Sequence, residues 1–192
     1  MRWMVLLLAL LVVPPSADAS DSVRIEVVLS EKTLYVYRGE DAVRRYPVAI
    51  GTLEFPTPEG EYEVHELIWN PPWVPLPDRE WTKGETRKEP GDPENPMRIL
   101  KIPFDPPYYY VHGTSEPWSV GRLASHGCLR MRENDVADLG RLLMDEAGDP
   151  PDRFDDRVRR GETQVVRLRA PIALRITMGE GNVYPGVVWA VD

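Results

Sequence analysis

The sequence predicts a mainly β (α+β) domain of antiparallel strands with one principal helix. Three observations lead there: short alternating or β-branched runs crowd residues 23–64, a second set of such runs closes the chain, and only residues 134–147 carry a sustained helical pattern. Residues 23–29 largely alternate. Residues 33–37 follow a Glu31-Lys32 turn, and Arg38-Gly39-Glu40-Asp41 makes the next turn before 46–50. These read as consecutive antiparallel strands, and a further one, 62–67, begins after the turn Thr57-Pro58-Glu59-Gly60.

Residues 69–107 differ in kind, because ten of the chain's 20 prolines fall between 71 and 107, with Trp73 and Trp81 among them. A loop of this length inside a compact domain is a functional lid or a disordered segment. Disordered segments are poor in aromatics, so the tryptophans favour a lid packed on something. Residues 108–112 then read as a core strand running into a Gly113-Thr114-Ser115 turn. Asn134 is the expected N-cap of the helix, with Val136, Leu139, Leu142 and Leu143 on one face and Gly148 as its stop. Residues 152–160 suggest a second short helix, and 163–168, 172–178 and 183–191 the closing strands.

Of the 192 residues, the first 19 read as a signal peptide: Arg2, an apolar run over 3–13, then a small-x-small site at Ala17-Asp18-Ala19. The run of eleven is too short to span a bilayer, which takes about 20 residues. Residues 20–192 are long enough for one domain. The net charge of −8 argues against nucleic-acid binding, which leaves a basic footprint. The expected product is an exported domain that does not span the membrane.

Exported proteins normally use cysteines in pairs, and this chain has one, Cys128. It sits in Ser125-His126-Gly127-Cys128-Leu129-Arg130-Met131, ahead of the helix, with His112 sixteen positions earlier. A thiol attacks acyl groups as a thiolate and needs a base or a positive field to become one. His112 and His126 are both candidates. His112, at a strand end, is assigned as base and later acid, because catalytic pairs usually meet across the fold. His126 is assigned a supporting or oxyanion role. Gly127 lets backbone N–H groups and a substrate carbonyl come close. His65, mid-strand with no reactive neighbour, reads as structural. Zinc held by His112, His126 and Cys128 is disfavoured because no Cys-x-x-Cys or His-Glu-x-x-His accompanies them, so no metal or other cofactor is expected.

These motifs resemble the L,D-transpeptidases with a YkuD-type catalytic domain, which act on bacterial peptidoglycan. The likeness rests on His112-Gly113-Thr114, a twelve-residue gap and then Ser125 to Met131. Thr57-Pro58-Glu59-Gly60-Glu61-Tyr62, Asn70-Pro71-Pro72-Trp73 and, loosely, Gly91 with Asn95-Pro96 extend it. Met97-Arg98 departs from the family's usual Leu-Gly, and Met178 stands where an aromatic is frequent. The resemblance implies a YkuD-like β-sandwich whose Cys128 attacks a tetrapeptide stem beside the terminal D-alanine. A thioester results, and a neighbouring stem's amine takes the acyl group to give a 3-3 crosslink. It further implies a backbone carbonyl near Gly113 orienting His112, Arg130, Ser125 and Trp73 as substrate contacts, acylation by carbapenems, and a Gram-negative periplasmic address. Arg130 has an alternative reading as a salt bridge to Glu133 or Asp135. An L,D-carboxypeptidase or amidase, and a non-catalytic wall-binding protein, stand as alternative functions.

Overall fold

A computed structural model describes residues 22–179; the leader and the strand expected at 183–191 lie outside these. Its framework is one nine-stranded sheet: β1 (Val23–Val28), β2 (Thr33–Arg38), β3 (Asp41–Pro47), β5 (Gly60–Trp69), β6 (Leu100–Asp105), β7 (Tyr109–Gly113), β9 (Leu129–Met131), β10 (Gly148–Asp149) and β11 (Gln164–Thr177). The order across it is β3-β2-β1-β11-β5-β6-β7-β9, with β10 paired to β11. A separate two-stranded ladder joins β4 (Ile50–Gly51) to β8 (Leu123–Ser125).

The pairing is mixed, where the sequence suggested antiparallel strands throughout. β1 runs parallel to β11, β7 to β9, and β4 to β8. The last described strand re-enters beside the first. Residues 163–168 and 172–178, expected as two strands, belong to the single β11, whose pairing with β5 is interrupted between Arg167 and Ile172. The Pro-rich excursion ends sooner than its composition suggested, because 100–105 are β6; Pro103 does not end the strand, but the register with β7 shifts just after it.

Helix α1 (Glu133–Ala147) packs Val136, Leu139, Leu143 and Met144 on the sheet. At Gly140 a Cβ would come within 2.5 Å of Leu100 and 2.8 Å of Trp69, so the helix lies closer to the sheet than any side chain there would permit. The helix starts one residue before the expected cap: Arg132 is the N-cap, without a side-chain cap bond, and Asn134 lies inside the first turn. Glu133 and Asp135 supply the negative charge that a helix N-terminus favours. A second helix, α2 (Phe154–Arg159), puts Phe154 edge-on to Trp69 at 5.7 Å. Among the described residues no helix is long and apolar enough to cross a membrane.

Candidate active site

The parallel pairing of β7 with β9 assembles the site. Its register sets Val111 against Leu129, His112 against Arg130 and Gly113 against Met131, so Cys128 enters β9 next to His112's strand. Backbone from residues 49–52 clamps the turn between β8 and β9 from the other side. Ala49 and Arg130 exchange two backbone bonds, at 2.8 and 3.0 Å, and Thr52 N–H donates to Ser125 C=O at 3.0 Å. The turn itself is tied by Ser125, whose hydroxyl donates to Cys128 C=O (2.6 Å) and accepts from Gly127 N–H (3.1 Å). Gly127 has φ of 103°, and a Cβ there would meet the Tyr109 ring at 2.5 Å. Glycine is required on both counts.

His112 is buried, and its Nδ1 lies 2.5 Å from Gly113 C=O. A carbonyl only accepts, so Nδ1 carries the proton in that bond, which leaves Nε2 the lone pair a base would need; Pro96 C=O is a second backbone acceptor near the ring. Gly113 is the orienting carbonyl expected from sequence. Burial first, then the Arg130 guanidinium, pull the imidazole down to about 3. The Cys128 thiol donates to Tyr108 C=O at 3.6 Å. Burial pushes it up to about 11, against backbone hydrogen bonding from Tyr110 and the positive charges of Arg130 and Lys101. The resting pair is therefore neutral thiol and neutral imidazole.

Both groups prefer to stay neutral in the fold, which fixes the sign of their effect on stability. His112 in the unfolded chain protonates near 6.5, so its contribution is complete above that pH and drains away as pH falls toward about 3. Cys128, raised from 9.0, contributes fully below pH 9 and loses that contribution as pH rises toward about 11. Each group changes stability by up to about 1.4 kcal/mol per pH unit inside its window. Urea unfolding between pH 3.5 and 7 should show this as a slope that His112→Gln lacks; equal slopes would contradict the assigned neutral imidazole.

The remaining expected residues fall in distinct places. Arg130 pairs with Glu116 at 2.7 Å, not with Glu133 or Asp135. Ser125 is buried with its hydroxyl engaged on both sides, which leaves it the turn rather than the substrate. Gly127 N–H is committed to Ser125 and is not a spare oxyanion donor. Trp73 exchanges backbone bonds with Lys88, at 2.9 and 3.0 Å, which closes the base of the excursion. His126 is exposed at the mouth and stacks on Trp81 (4.3 Å between centroids, 11° between planes), with Phe55 tilted against it at 4.8 Å. Burial is the main cause of a lowered His126 imidazole, followed by Arg130. His65 lies exposed on β5, 3.4 Å from Glu63. Among the described residues no group of three or more His, Cys, Asp or Glu side chains is placed to hold a metal ion.

Sequence reasoning expected the excursion's tryptophans to pack on something but did not assign what Trp81 meets, nor the roles of Arg79, Tyr108 and Asp78. Trp81 stacks on His126, the Arg79 guanidinium lies 4.4 Å above the Tyr108 ring, and Tyr108 OH donates to Asp78 at 3.0 Å. A cleft of about 330 Å³ lies between them, walled by Phe55, Trp81, Tyr108, Tyr109 and His126. Buried Asn95 staples the far end: its amide donates to Pro71 C=O (2.8 Å) and Glu89 C=O (3.2 Å) and accepts from Met97 N–H (2.9 Å). Arg98 then turns with φ of 55° and pairs with Glu133 at the start of α1. A left-handed arginine costs about 1 kcal/mol. The departure from Leu-Gly therefore falls at a position where the backbone does favour glycine.

Residues 22–166 match the family model described as the L,D-transpeptidase catalytic domain, YkuD. The chain is 35% identical over 135 residues to the probable L,D-transpeptidase ErfK/SrfK of Salmonella typhimurium, covering 66% of this chain and 43% of that protein. It is 28% identical over 120 residues to the putative L,D-transpeptidase YkuD of Bacillus licheniformis, covering 62% and 59%. It thus spans about half the length of the curated relatives it matches. Two solved structures share the fold. The catalytic domain of an E. faecium L,D-transpeptidase aligns with a TM-score of 0.52 at 16% identity, over 82% of this chain and 98% of that one. An L,D-transpeptidase from Mycobacterium smegmatis aligns at 0.53 and 15%, over 81% and 58%. The extent of the sequence match, on a fold shared with these enzymes, shows that the chain belongs to the family of YkuD-type L,D-transpeptidase catalytic domains.

Proposed function

We propose that the protein is an L,D-transpeptidase that uses Cys128 as nucleophile on peptidoglycan tetrapeptide stems, forms a thioester and passes the acyl group to a second stem as a 3-3 crosslink. The observation that carries this reading is His112: a buried, neutral imidazole, held in one tautomer by Gly113, on the strand beside the thiol. In the first half-reaction Cys128 Sγ bonds to the carbonyl carbon of the third stem residue as its proton passes to His112 Nε2. The C–N bond to D-alanine breaks, and the same proton leaves with the amine. In the second, an acceptor amine attacks the thioester, His112 takes its proton, and the thiol is regenerated. No cofactor enters either step.

Ser125 and Gly127 shape the nucleophile's turn in this reading, Gly113 orients the base, and His126 with Trp81 walls the donor's approach. Arg130, with Glu116 on its guanidinium, acts on the charge around His112 instead of gripping a substrate carboxylate. The enzyme works where peptidoglycan lies, outside the cytoplasmic membrane, and we place it in a Gram-negative periplasm. The test is incubation of the protein with disaccharide-tetrapeptide muropeptides, followed by mass analysis of products and of intact enzyme. Crosslinked dimers with one D-alanine lost per link, together with a thioester-linked protein, are expected. Tripeptide without dimer would instead make the protein a carboxypeptidase, and binding without any reaction would make it a wall-binding protein.

A further inference from the structure

The sheet register places two cations, not one, beside the base. Lys101 on β6 pairs with His112 on β7, which pairs with Arg130 on β9, so three adjacent strands carry Lys101, His112 and Arg130 in one row. Directly paired residues project from the same face of a sheet. The next row on that face has Pro103 opposite Tyr110, and continuing the β7–β9 register by one residue sets Cys128 beside Tyr110. The Lys101 Nζ lies 4.8 Å from the centre of the Tyr110 ring, so the ammonium leans from its own row toward the row of the thiol. The ring is a fixed platform, because Tyr110 OH donates to Pro107 C=O.

The two cations differ in what neutralises them. Arg130 carries Glu116 at 2.7 Å, whereas among the described residues Lys101 has no carboxylate within ion-pair distance. Glu66 on β5 is the acid whose charge reaches it. The charged or titratable groups around the thiol are thus Glu66 from β5, Lys101 from β6, Tyr110 and His112 from β7, Arg130 from β9 with its Glu116, and His126 from the turn. Lys101 is half-buried, and burial lowers its ammonium from the ordinary lysine value, while the charge of Glu66 and a Cys128 thiolate would act in the opposite direction.

We propose that Lys101 is a charge-supplying residue of this site beside Arg130: its ammonium, held over Tyr110, favours the thiolate of Cys128 as it forms and draws anionic acyl donors toward the sulfur. The proposal rests on the reading of Cys128 as nucleophile, but needs neither peptidoglycan nor a particular acceptor. Lys101 positions charge and makes no bond to the reacting atoms. Arg130 also acts on the sulfur, but its guanidinium is tied to Glu116, which leaves Lys101 as the cation without a carboxylate partner among the described residues.

The test compares alkylation of Cys128 by iodoacetamide, which is neutral, and by iodoacetate, an anion of similar size, in the wild type, Lys101→Met and Lys101→Arg. Loss of one positive charge near the sulfur should cut the iodoacetate-to-iodoacetamide rate ratio by about threefold to tenfold at low salt. The iodoacetamide pH profile of Lys101→Met should also move up by about 0.5 to 1 unit. Lys101→Arg should keep the wild-type ratio and profile, and 0.5 M salt should shrink the difference. A folded Lys101→Met whose ratio and profile match the wild type overturns the proposal, as does a Lys101→Arg that behaves like Lys101→Met. Alkylation in which no variant shows a reactive Cys128 would instead overturn the nucleophile reading itself.

Discussion

Cys128→Ala is expected to abolish acyl-enzyme formation outright, and His112→Ala to slow it by about 10² to 10⁴ at neutral pH. The size of the second effect follows from the site's electrostatics. Burial pushes the thiol up to about 11, so at pH 7 only about one molecule in 10⁴ is thiolate without a base to assist. In the proposed mechanism His112 Nε2 removes that barrier by taking the proton during attack, with Gly113 holding the ring with its other nitrogen protonated. The His112→Ala variant should therefore recover about tenfold per pH unit as hydroxide replaces the imidazole, while the wild type stays nearly flat between pH 6 and 8. Intact-protein mass after timed exposure to a carbapenem reads both. A His112→Ala variant that acylates at the wild-type rate would remove the imidazole from the mechanism. The double variant should be no slower than Cys128→Ala, since the two groups act as a unit.

How much of this could be read from the sequence depends on the range over which each cause acts. That Cys128, His112 and Gly127 come together was legible, because thiol acyl chemistry would require those residue types and because a positive-φ turn has few residue choices. The strands at 23–28 and 33–38 and the helix after Cys128 were legible from period alone. The parallel neighbours were not. β1 lies beside β11, nearly the whole described chain away, and nothing local in Val23–Val28 specifies a partner at 173–177. β6 was hidden in a proline-rich window, since Pro103 normally argues against a strand.

Partnerships of charged and polar side chains were the least legible layer. Arg130 has Asp135 and Glu133 nearby in sequence, yet it reaches Glu116 in the loop that carries the chain from β7 toward β9. Trp73 was singled out for the motif around it, while the tryptophan that covers His126 is Trp81, eight residues further along the excursion. Both depend on how a loop without periodic structure folds back, which no spacing rule encodes. The Pro/Trp composition foretold only that the excursion would pack on something.

Gly127→Ala tests the backbone on which all of this depends. Two penalties fall on one methyl group: φ of 103° is a conformation that L-residues rarely adopt, and the new Cβ would sit 2.5 Å from Tyr109 Cε1. The Tyr109 ring stacks on Phe104 at 6.2 Å, which in turn meets Tyr62 edge-on, so moving it disturbs that stack. Positive φ alone costs about 1 kcal/mol or more, and overpacking adds about 1 to 3. Gly121 separates the two, since it has φ of 86° and an added methyl group there would meet nothing within 4 Å. Gly121→Ala should thus lose only about 1 kcal/mol in urea unfolding, and Gly127→Ala about 2 to 4. If the fold survives, a Gly127→Ala turn that relaxes by releasing Ser125 from Gly127 N–H or by displacing Cys128 should lose acylation, since a misplacement of about 1 Å at the sulfur costs roughly 10²-fold. Equal stability losses for the two alanines, with the Gly127→Ala acylation rate unchanged, would mean that the turn does not hold the nucleophile in the way its hydrogen bonds indicate.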